Sequence, residues 1–358
     1  MKYKKRIKLI KTLYFLIALF SLFSIADTSA QISLVKISEA MVYDSPPFKE
    51  CHASSIVEVT PNQFLIAAFG GSKEGKDDVS IWLSHSDKNE WKAPQLIDRG
   101  VSLHQELFPC WNPVLFQSQA GTLSLFYKVG PSPREWWGMV KTSDDRGNTW
   151  SEGKRLAQDI LGPIKNKPVQ LRDGTILSPS STETRTSEGL SWKVHIEKST
   201  NDGRSWTKIP IDPTTEFDVI QPSILLLGEK RLQILCRSRN NSLMQAFSED
   251  NGNSWGPVTR TDLPNPNAGT DAITLSNGYH LLVYNPTQNG KNGRSKLSVA
   301  LSQTGKDWEE VLFLENEKKG EFSYPAVIES ADGKVHISYT YNRRNIKHVV
   351  LEINERMD

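Results

Sequence analysis

One eight-residue phrase, Ser-x-Asp-x-Gly-x-(Thr/Ser)-Trp, recurs along the 358-residue chain and constrains its fold more than any other feature. Two complete copies end at Trp150 and Trp255, and a copy with Asn in place of Asp ends at Trp206. Two degenerate copies, which lack some residues of the phrase, end at Trp91 and Trp308. The tryptophans lie 59, 56, 49 and 53 residues apart, and so regular a spacing indicates one structural unit repeated along the chain.

Each residue type in the phrase suits a tight turn. Asp or Asn caps a turn by hydrogen-bonding its own backbone, and Gly supplies the positive φ that the turn needs. Trp carries a large ring that can pack between neighbouring sheets. We therefore expect a structural hairpin corner and place no catalytic residue in it.

A second repeat lies between these corners, in which a polar or aromatic residue opens each unit and a short apolar strand follows. The six openings are His52-Ala53-Ser54, Asn112-Pro113, Lys167-Pro168, Gln221-Pro222, Thr270-Asp271 and Tyr324-Pro325. Six units of roughly fifty residues predict an all-β fold, a six-bladed β-propeller of four-stranded antiparallel blades. The last unit has no corner of its own, so we expect Ile32 to Val42 to supply its missing strand. A two-sheet sandwich or separate β domains would not explain the spacing.

The first thirty residues have the composition of a signal peptide. Six basic residues precede the apolar run from Leu13 to Ala26, and the small residues Thr28-Ser29-Ala30 follow it. The alternative is an uncleaved membrane anchor, although the run is shorter than the roughly 20 residues of a spanning helix. We therefore predict residues 1–30 as the signal peptide and residues 31–358 as one propeller domain. The mature protein would be exported, periplasmic or extracellular, and free of the membrane.

Charge argues against nucleic acid as a partner, and the cysteine content argues against a disulfide-based fold. The leader holds six of the 43 basic and one of the 41 acidic residues, which leaves 37 against 40, a net charge near −3. The mature chain thus gives no reason to expect nucleic acid binding. Cys51, Cys110 and Cys236 are too few for a disulfide scaffold; a Cys51–Cys110 bridge is conceivable, and buried free thiols are favoured. No metal or cofactor motif is recognised, and we expect a monomer.

With these Asp-box corners, residues 35 to 352 resemble the sialidase (neuraminidase) superfamily and its BNR repeats. The resemblance implies a glycan substrate and a site in which three arginines hold the substrate carboxylate. It also implies a tyrosine that attacks the anomeric carbon with the help of a glutamate, and an aspartate that acts as acid and base. A neutral phenol approaches an anomeric centre that bears a carboxylate without the repulsion that an anion would meet.

Several residues match this pattern. Tyr324 opens the last unit, where sialidases place the nucleophile. Arg237 and Arg294 look like the second and third arginines, with Arg239 as an alternative to Arg237. The resemblance places the acid/base at Asp77 or Asp78, at the end of a Gly-rich loop that also contains the reserve candidate Glu74.

Two positions depart from the pattern. Cys51-His52-Ala53-Ser54 stands where the first unit of a sialidase opens with Arg-Ile-Pro. Gln221 stands where the helper glutamate is expected, and an amide cannot accept the proton of the tyrosine. Glu321 or His52 would then have to act as the base.

Further polar and aromatic residues would surround the mouth of the channel, where propellers bind ligands. Strand capping or bound water is the alternative interpretation for each of them. Trp137 or its neighbour Trp136 is a candidate for stacking on a sugar ring, and either could instead be a core residue. The remaining substrate-binding candidates are Asn112, Lys167, Gln221, Asp271 and Arg343.

The sequence thus predicts an exo-acting, sialidase-like glycoside hydrolase that removes a terminal acidic sugar, sialic acid or a related ulosonic acid. Arginine favours an anionic sugar because its planar guanidinium forms paired hydrogen bonds with a carboxylate. Two alternatives remain open. One is a lyase or hydrolase acting on a glycan that contains uronic acid, and the other is a propeller that binds glycans without catalysis.

Overall fold

A computed structural model describes residues 31–356 except 88, 89, 103, 104, 188, 289 and 291. The predicted signal peptide lies outside the described residues. The chain divides into two compact units, one of Leu34–Ile353 and the other of Met1–Ser33 and Asn354–Asp358. In the second unit the structure describes only residues 31–33 and 354–356, which belong to the terminal strands.

The unit Leu34–Ile353 is a six-bladed β-propeller of antiparallel sheets, as predicted. Blade 1 consists of β2 (Glu50–Thr60), β3 (Gln63–Gly71), β4 (Ser80–Asp87), β5 (Glu90–Trp91) and β6 (Gln95–Asp98). Blade 2 consists of β7 (Cys110–Gln117), β8 (Leu123–Val129), β9 (Trp137–Ser143) and β10 (Lys154–Arg155). Blade 3 consists of β11 (Val169–Gln170), β12 (Ile176–Thr186), β13 (Gly189–Ser199) and β14 (Thr207–Pro210).

Blades 4 to 6 complete the ring. Blade 4 consists of β15 (Val219–Leu226), β16 (Leu232–Ser238), β17 (Ser242–Ser248) and β18 (Thr259–Pro264). Blade 5 consists of β19 (Asp271–Thr274), β20 (His280–Tyr284), β21 (Lys296–Ser302) and β22 (Glu309–Asn316). Blade 6 consists of β23 (Phe322–Glu329), β24 (Val335–Tyr341), β25 (Asn345–Arg356) and β1 (Gln31–Met41).

Blade 6 takes its outer strand from the opposite end of the chain, which confirms the predicted ring closure. β1 lies beside β25 in the order β1-β25-β24-β23. Just after β1, Val42 N donates a hydrogen bond to Ile346 O at 2.8 Å, and Asn345 Nδ2 donates one to Tyr43 O at 2.7 Å. The early segment is therefore fixed to the last blade by backbone and side chain.

The core lies between neighbouring blades, because each sheet buries its apolar face against the next. Between blades 1 and 2, Leu65 and Leu83 pack with Leu125 and Tyr127, and all four side chains are at most 1% exposed. Near the channel, the first strands contact one another, and β2 touches both β7 and β23. The openings of the first strands therefore meet around one axis.

The Asp-box corners form the turns that their residue types predict. In the second blade, Thr149 N donates to Asp145 Oδ1 at 2.8 Å, and Gly147 N donates to Ser143 Oγ at 2.8 Å. Trp150 Nε1 closes the corner on Gly147 O at 3.1 Å. The carboxylate is thus used within the turn itself.

The three cysteines are free and buried, so the conceivable Cys51–Cys110 bridge is not formed. Within the described residues no group of three or more His, Cys, Asp or Glu side chains could hold a metal ion. The same part of the chain contains no helix long and apolar enough to cross a membrane.

Candidate functional site

The side chains of the channel mouth leave the blades at positions of unusual backbone geometry. Each blade opens with one residue of positive φ, and in β2, β7, β15 and β23 the strand register shifts at that residue. A bulge of this kind re-aims a side chain, and such strain is concentrated at functional sites. The six residues, with φ in degrees, are Ala53 (55), Asn112 (40), Lys165 (72), Gln221 (56), Asn267 (55) and Tyr324 (54).

Blades 3 and 5 open at residues that the sequence comparison did not select. The sequence predicts Lys167 as the opening of blade 3, because Lys167-Pro168 resembles Asn112-Pro113. The residue with left-handed backbone there is Lys165. In blade 5 it is Asn267 and not Asp271. Neither Lys165 nor Asn267 is followed by proline, so the X-Pro pattern missed both. The tolerance of Asn for left-handed backbone was the one available signal for Asn267.

Arg237 connects three of these openings. Its Nη1 donates hydrogen bonds to Tyr324 Oη at 2.5 Å and to Gln221 Oε1 at 3.2 Å, and its Nε donates to Asn267 Oδ1 at 2.9 Å. The side chain is buried and lies over the ring of Trp192, with its Cζ 5.4 Å from the ring centroid. Arg237 is thereby fixed against the phenol oxygen of Tyr324.

Arg294 and Arg343 share one carboxylate, that of Glu321. Arg294 Nη1 and Arg343 Nε each lie 3.0 Å from Glu321 Oε1, and Arg343 Nη1 donates a further bond to Glu74. Burial alone would raise the pKa of Glu321, but Arg343 and Arg294 outweigh it, so the pKa is lowered. Glu321 is therefore an ionised anchor for two arginines.

Two guanidinium groups lie against Tyr324, and the third, that of Arg343, is held by the same Glu321 carboxylate as Arg294. The Cζ atoms of Arg237 and Arg294 both lie 5.6 Å from the Tyr324 ring centroid. Among the described residues, Nη2 of Arg237 and Nη2 of Arg343 have no hydrogen-bond partner. The Arg343 side chain is 27% exposed, so the cluster keeps donors that can reach an anionic ligand.

His52 packs against Tyr324 from blade 1. The two ring centroids are 4.1 Å apart, and His52 is only 2% exposed. Its buried Nδ1 has no hydrogen-bond partner among the described residues. Burial lowers the pKa of His52 well below its usual value, and Arg343, Arg294 and Arg237 lower it further. His52 is therefore a neutral imidazole with an unused nitrogen beside the phenol.

Lys165 crosses the channel beneath this cluster. Its buried Nζ donates to Thr270 O and Asn166 Oδ1 at 2.7 Å each, and also to Pro325 O. Burial lowers the pKa of Lys165 to about 7. The lysine thus ties blade 3 to the backbone next to Tyr324.

Three other predicted substrate-binding residues lie at or near the openings, namely Lys167, Asp271 and Asn112. Lys167 Nζ donates to Asp271 Oδ2 at 2.8 Å, and the Asp271 carboxylate also accepts from Val327 N at 2.9 Å. Asp271 is 1% exposed, so its oxygens join blades 3, 5 and 6. Asn112 is buried within the bulge of β7.

The acidic loop of blade 1 reaches the arginine cluster through Glu74. Asp77 and Asp78 are both exposed, and the Asp78 carboxylate accepts bonds from Ser72 N at 2.9 Å and Ser72 Oγ at 2.8 Å. The loop thus brings one carboxylate, Glu74, against Arg343 and commits another, Asp78, to its own turn.

The two tryptophans after β8 have different surroundings. Trp137 packs edge-on against Phe108, with centroids 5.5 Å apart, while the Arg155 guanidinium covers its ring at 5.0 Å. Trp136 is half-buried and meets Trp111 edge-on at 6.0 Å. Arg239, the alternative to Arg237, lies over Trp192 and pairs with Asp218 at 3.3 Å.

Comparison with known proteins agrees with this architecture. A family model described as a BNR repeat-like domain matches residues 62–337. No curated protein matches the chain.

Several solved structures share the fold at low sequence identity. A protein of unknown function from Dyadobacter fermentans has a TM-score of 0.72 and 15% identity, over 90% of this chain and 100% of its own. The leech intramolecular trans-sialidase has a TM-score of 0.68 and 12% identity, over 90% of this chain and 70% of its own. The K499G mutant of the NanB sialidase of Streptococcus pneumoniae has a TM-score of 0.66 and 12% identity, over 88% of this chain and 70% of its own.

Proposed function

The chain belongs to the family of BNR repeat-like domains, and on that premise we propose that it is an exo-acting, sialidase-like glycoside hydrolase. Its substrate would be a glycan that ends in sialic acid or a related ulosonic acid. The observation that supports this most is the arginine cluster: Arg237 and Arg294 lie against Tyr324, and a third guanidinium binds the carboxylate that holds Arg294. A ligand carboxylate at that point would meet several guanidinium donors in a partly buried site, where charged hydrogen bonds are strong.

Tyr324 is the proposed nucleophile. Its Oη would bond to the anomeric carbon while the bond from that carbon to the leaving oxygen breaks. Arg237 donates to the same Oη, so it can stabilise negative charge that develops there but cannot accept the phenol proton. We assign that proton to His52, whose ring contacts the tyrosine ring. Burial and the nearby arginines lower the pKa of His52, so the transfer depends on the substrate carboxylate offsetting the charge of those arginines.

A carboxyl group of the blade 1 loop would protonate the leaving oxygen. Asp77, Asp78 and Glu74 are the candidates, and Glu74 is the one held at the arginine cluster. In the second half of the reaction, water bonds to the anomeric carbon and gives a proton to this carboxylate, while the bond from that carbon to Tyr324 Oη breaks. His52 then returns its proton to Tyr324, which restores the starting state.

A uronate lyase is the second candidate, favoured by one specific observation. The hydrogen-bond partner of Tyr324 Oη is Arg237, a donor, and the nearby neutral base is His52. In a lyase, His52 would take the proton next to the uronate carboxylate while an arginine neutralises that carboxylate. The bond to the leaving oxygen would break with formation of a carbon–carbon double bond, and Tyr324 would supply a proton to that oxygen.

We predict that the chain from residue 31 releases fluorophore from an aryl α-sialoside and that Tyr324→Phe lowers kcat at least a hundredfold. The variant lacks the attacking oxygen but keeps the ring that packs against His52, so the substrate should still bind. Tyr279→Phe is the matched control, because the Tyr279 hydroxyl bonds to Gln303 in a distant turn. Steady-state kinetics of the three proteins would measure the effect.

The other outcomes separate the alternatives. Equal turnover by wild type and Tyr324→Phe would remove the tyrosine from the mechanism. Without sialoside turnover, an unsaturated product from a polyuronate, detected by ultraviolet absorbance, would indicate the lyase. Binding of an acidic sugar without any product would indicate a non-catalytic glycan-binding propeller.

A further inference from the structure

A groove of about 700 Å³ runs between blades 2 and 3 at the channel mouth. One wall comes from the segment that leads into β9 and from the end of β10, and the other comes from the long hairpin β12–β13 and from β14. The residues that matter here are Arg134, Trp136, Arg155, Glu183 and Lys208. None of them belongs to the arginine cluster around Tyr324.

Two side-chain paths connect the groove to the cluster. Glu183 Oε2 accepts a hydrogen bond from Trp192 Nε1 at 3.1 Å, and the Trp192 ring lies under Arg237. On the other wall, Trp136 contacts Trp111 at the opening of blade 2. Side chains of the groove therefore contact side chains that pack against the place where the terminal sugar would sit.

The groove offers an aromatic surface and a positive edge. Trp137 is already covered by Phe108 and Arg155, which leaves the half-buried Trp136 as the ring available to a ligand. Three exposed cations line the groove, Arg134, Arg155 and Lys208, against two acids, Glu183 and Asp159. Burial raises the pKa of Glu183, which weakens the negative contribution of that carboxyl group.

The floor of the groove is held rigidly. The fully buried Glu197 accepts hydrogen bonds from Leu161 N and Gly162 N at 2.7 Å each, and His195 Nε2 lies 3.2 Å from the same carboxylate. Leu161 lines the groove directly. The shape of the groove is thus formed before any ligand binds, which reduces the entropic cost of binding.

We infer that this groove binds the second sugar unit of the glycan, the one that carries the leaving oxygen, and that this unit bears an anionic group. The ring of that sugar would stack on Trp136, and its acidic group would contact Arg134 and Lys208. The inference rests on the proposed function for the position of the terminal sugar. It adds that the natural substrate is a glycan with acidic groups on consecutive units.

The test compares three substrates that share the same terminal sugar. An aryl sialoside has no second sugar, sialyllactose has a neutral one and disialic acid has an anionic one. We expect kcat/KM to be about tenfold higher for disialic acid than for sialyllactose, as one charged hydrogen bond would give. The double variant Arg134→Ala/Lys208→Ala should remove about that factor and leave turnover of sialyllactose and of the aryl sialoside within about twofold. Trp136→Ala should lower kcat/KM for disialic acid and sialyllactose alike.

Arg172→Ala is the matched control, an exposed arginine in a turn of blade 3 outside the groove. Equal losses on the aryl sialoside and on disialic acid would overturn the inference, because the groove residues would then act on the terminal sugar or on folding. A preference for sialyllactose would overturn the anionic assignment.

Failure of the proposed function would be recognised separately, as absence of turnover on all three substrates. In that case the groove is tested by calorimetric titration with disialic acid and with digalacturonate. Binding of either one that weakens about tenfold in Trp136→Ala supports the groove as a site for acidic sugars. Absence of binding of both to the wild type overturns it.

Discussion

Single residues at the mouth adopt backbone conformations that their side chains do not favour. Tyr324 has a φ of 54°, in a region that costs a non-glycine residue about 1–3 kcal/mol. Strand pairs on both sides of the bulge, Ser323 with Thr340 and Ala326 with Ser338, hold it in place. The fold therefore imposes the direction of the phenol. Positive φ recurs at the five other openings, and the bulge recurs at three of them.

The position of Arg343 leads to a prediction about the missing first arginine. Cys51 N donates a hydrogen bond to Arg343 O at 2.8 Å, so Arg343 lies beside the opening where the resemblance led us to expect that arginine. We expect Arg343→Ala to raise KM for the aryl sialoside about tenfold or more, with a smaller change in kcat. A contact of Arg343 with the substrate carboxylate would be present in the ground state and in the transition state. Its loss would weaken the binding of both states equally.

Steady-state kinetics would check this against two further variants. Arg343→Lys should recover part of the affinity, because an ammonium keeps the charge but not the paired geometry of a guanidinium. Arg344→Ala removes the exposed neighbouring arginine and should change KM by less than about twofold. An unchanged KM in Arg343→Ala would exclude Arg343 from the clamp.

Among the structural elements, the Asp-box turns make the clearest prediction. Asp250 accepts from Ser254 N at 2.9 Å and from Ser254 Oγ at 2.6 Å. At the equivalent position in blade 3, Asn201 makes the corresponding bonds to Ser205 at 3.0 and 2.8 Å. We expect Asp250→Ala to lower the free energy of unfolding by about 1 kcal/mol and Asp250→Asn by clearly less.

Urea unfolding of the two variants would measure the difference. If Asn were as costly as Ala, the turn would depend on the charge of the carboxylate and not on its hydrogen-bond geometry.

These elements were predictable from sequence because each residue of an Asp-box acts on neighbours within a few positions. Five such turns at a regular spacing sufficed for the blade number, and the missing sixth turn for the closing strand. The candidate site depends on contacts across the ring, such as Arg237 with Tyr324, 87 positions apart, and Arg343 with Glu74, 269 apart. No local pattern encodes which side chains meet there, and in blade 3 the Lys167-Pro168 pattern pointed two residues away from Lys165.

At the scale of the whole molecule, the joint between blades 6 and 1 contains a buried histidine pair. His336 Nδ1 and His348 Nε2 are 3.0 Å apart, and Phe64 of blade 1 stacks on His336 with centroids 4.1 Å apart. Burial lowers the pKa of His336 to about 4 and that of His348 to about 3. Asp332 and Lys334 act on His336 in opposite directions.

This pair should make the joint sensitive to acid. An unfolded histidine titrates near pH 6.5, so below that pH the unfolded state binds more protons than the folded state, and stability falls as pH falls. The contribution is complete above about pH 6.5 and is lost progressively as the pH falls towards 4 and 3, the folded-state pKa values of the pair. We expect urea unfolding between pH 7 and pH 4 to show a smaller loss in His336→Gln/His348→Gln than in wild type. An equal loss would assign the acid sensitivity to other groups.

Ring closure also determines when the first strand can pair during synthesis of the chain. The partner of β1 is β25, so roughly 300 residues must be synthesised before the first strand can pair. At about 5–20 residues per second, this is a wait on the order of 15 to 60 seconds. Arg343 and Tyr324 also belong to that final blade, and so the mouth is completed at the same moment as the ring. A ribosome that stalls before the last blade would leave a chain with five blades and an unpaired first strand, without Tyr324 and Arg343.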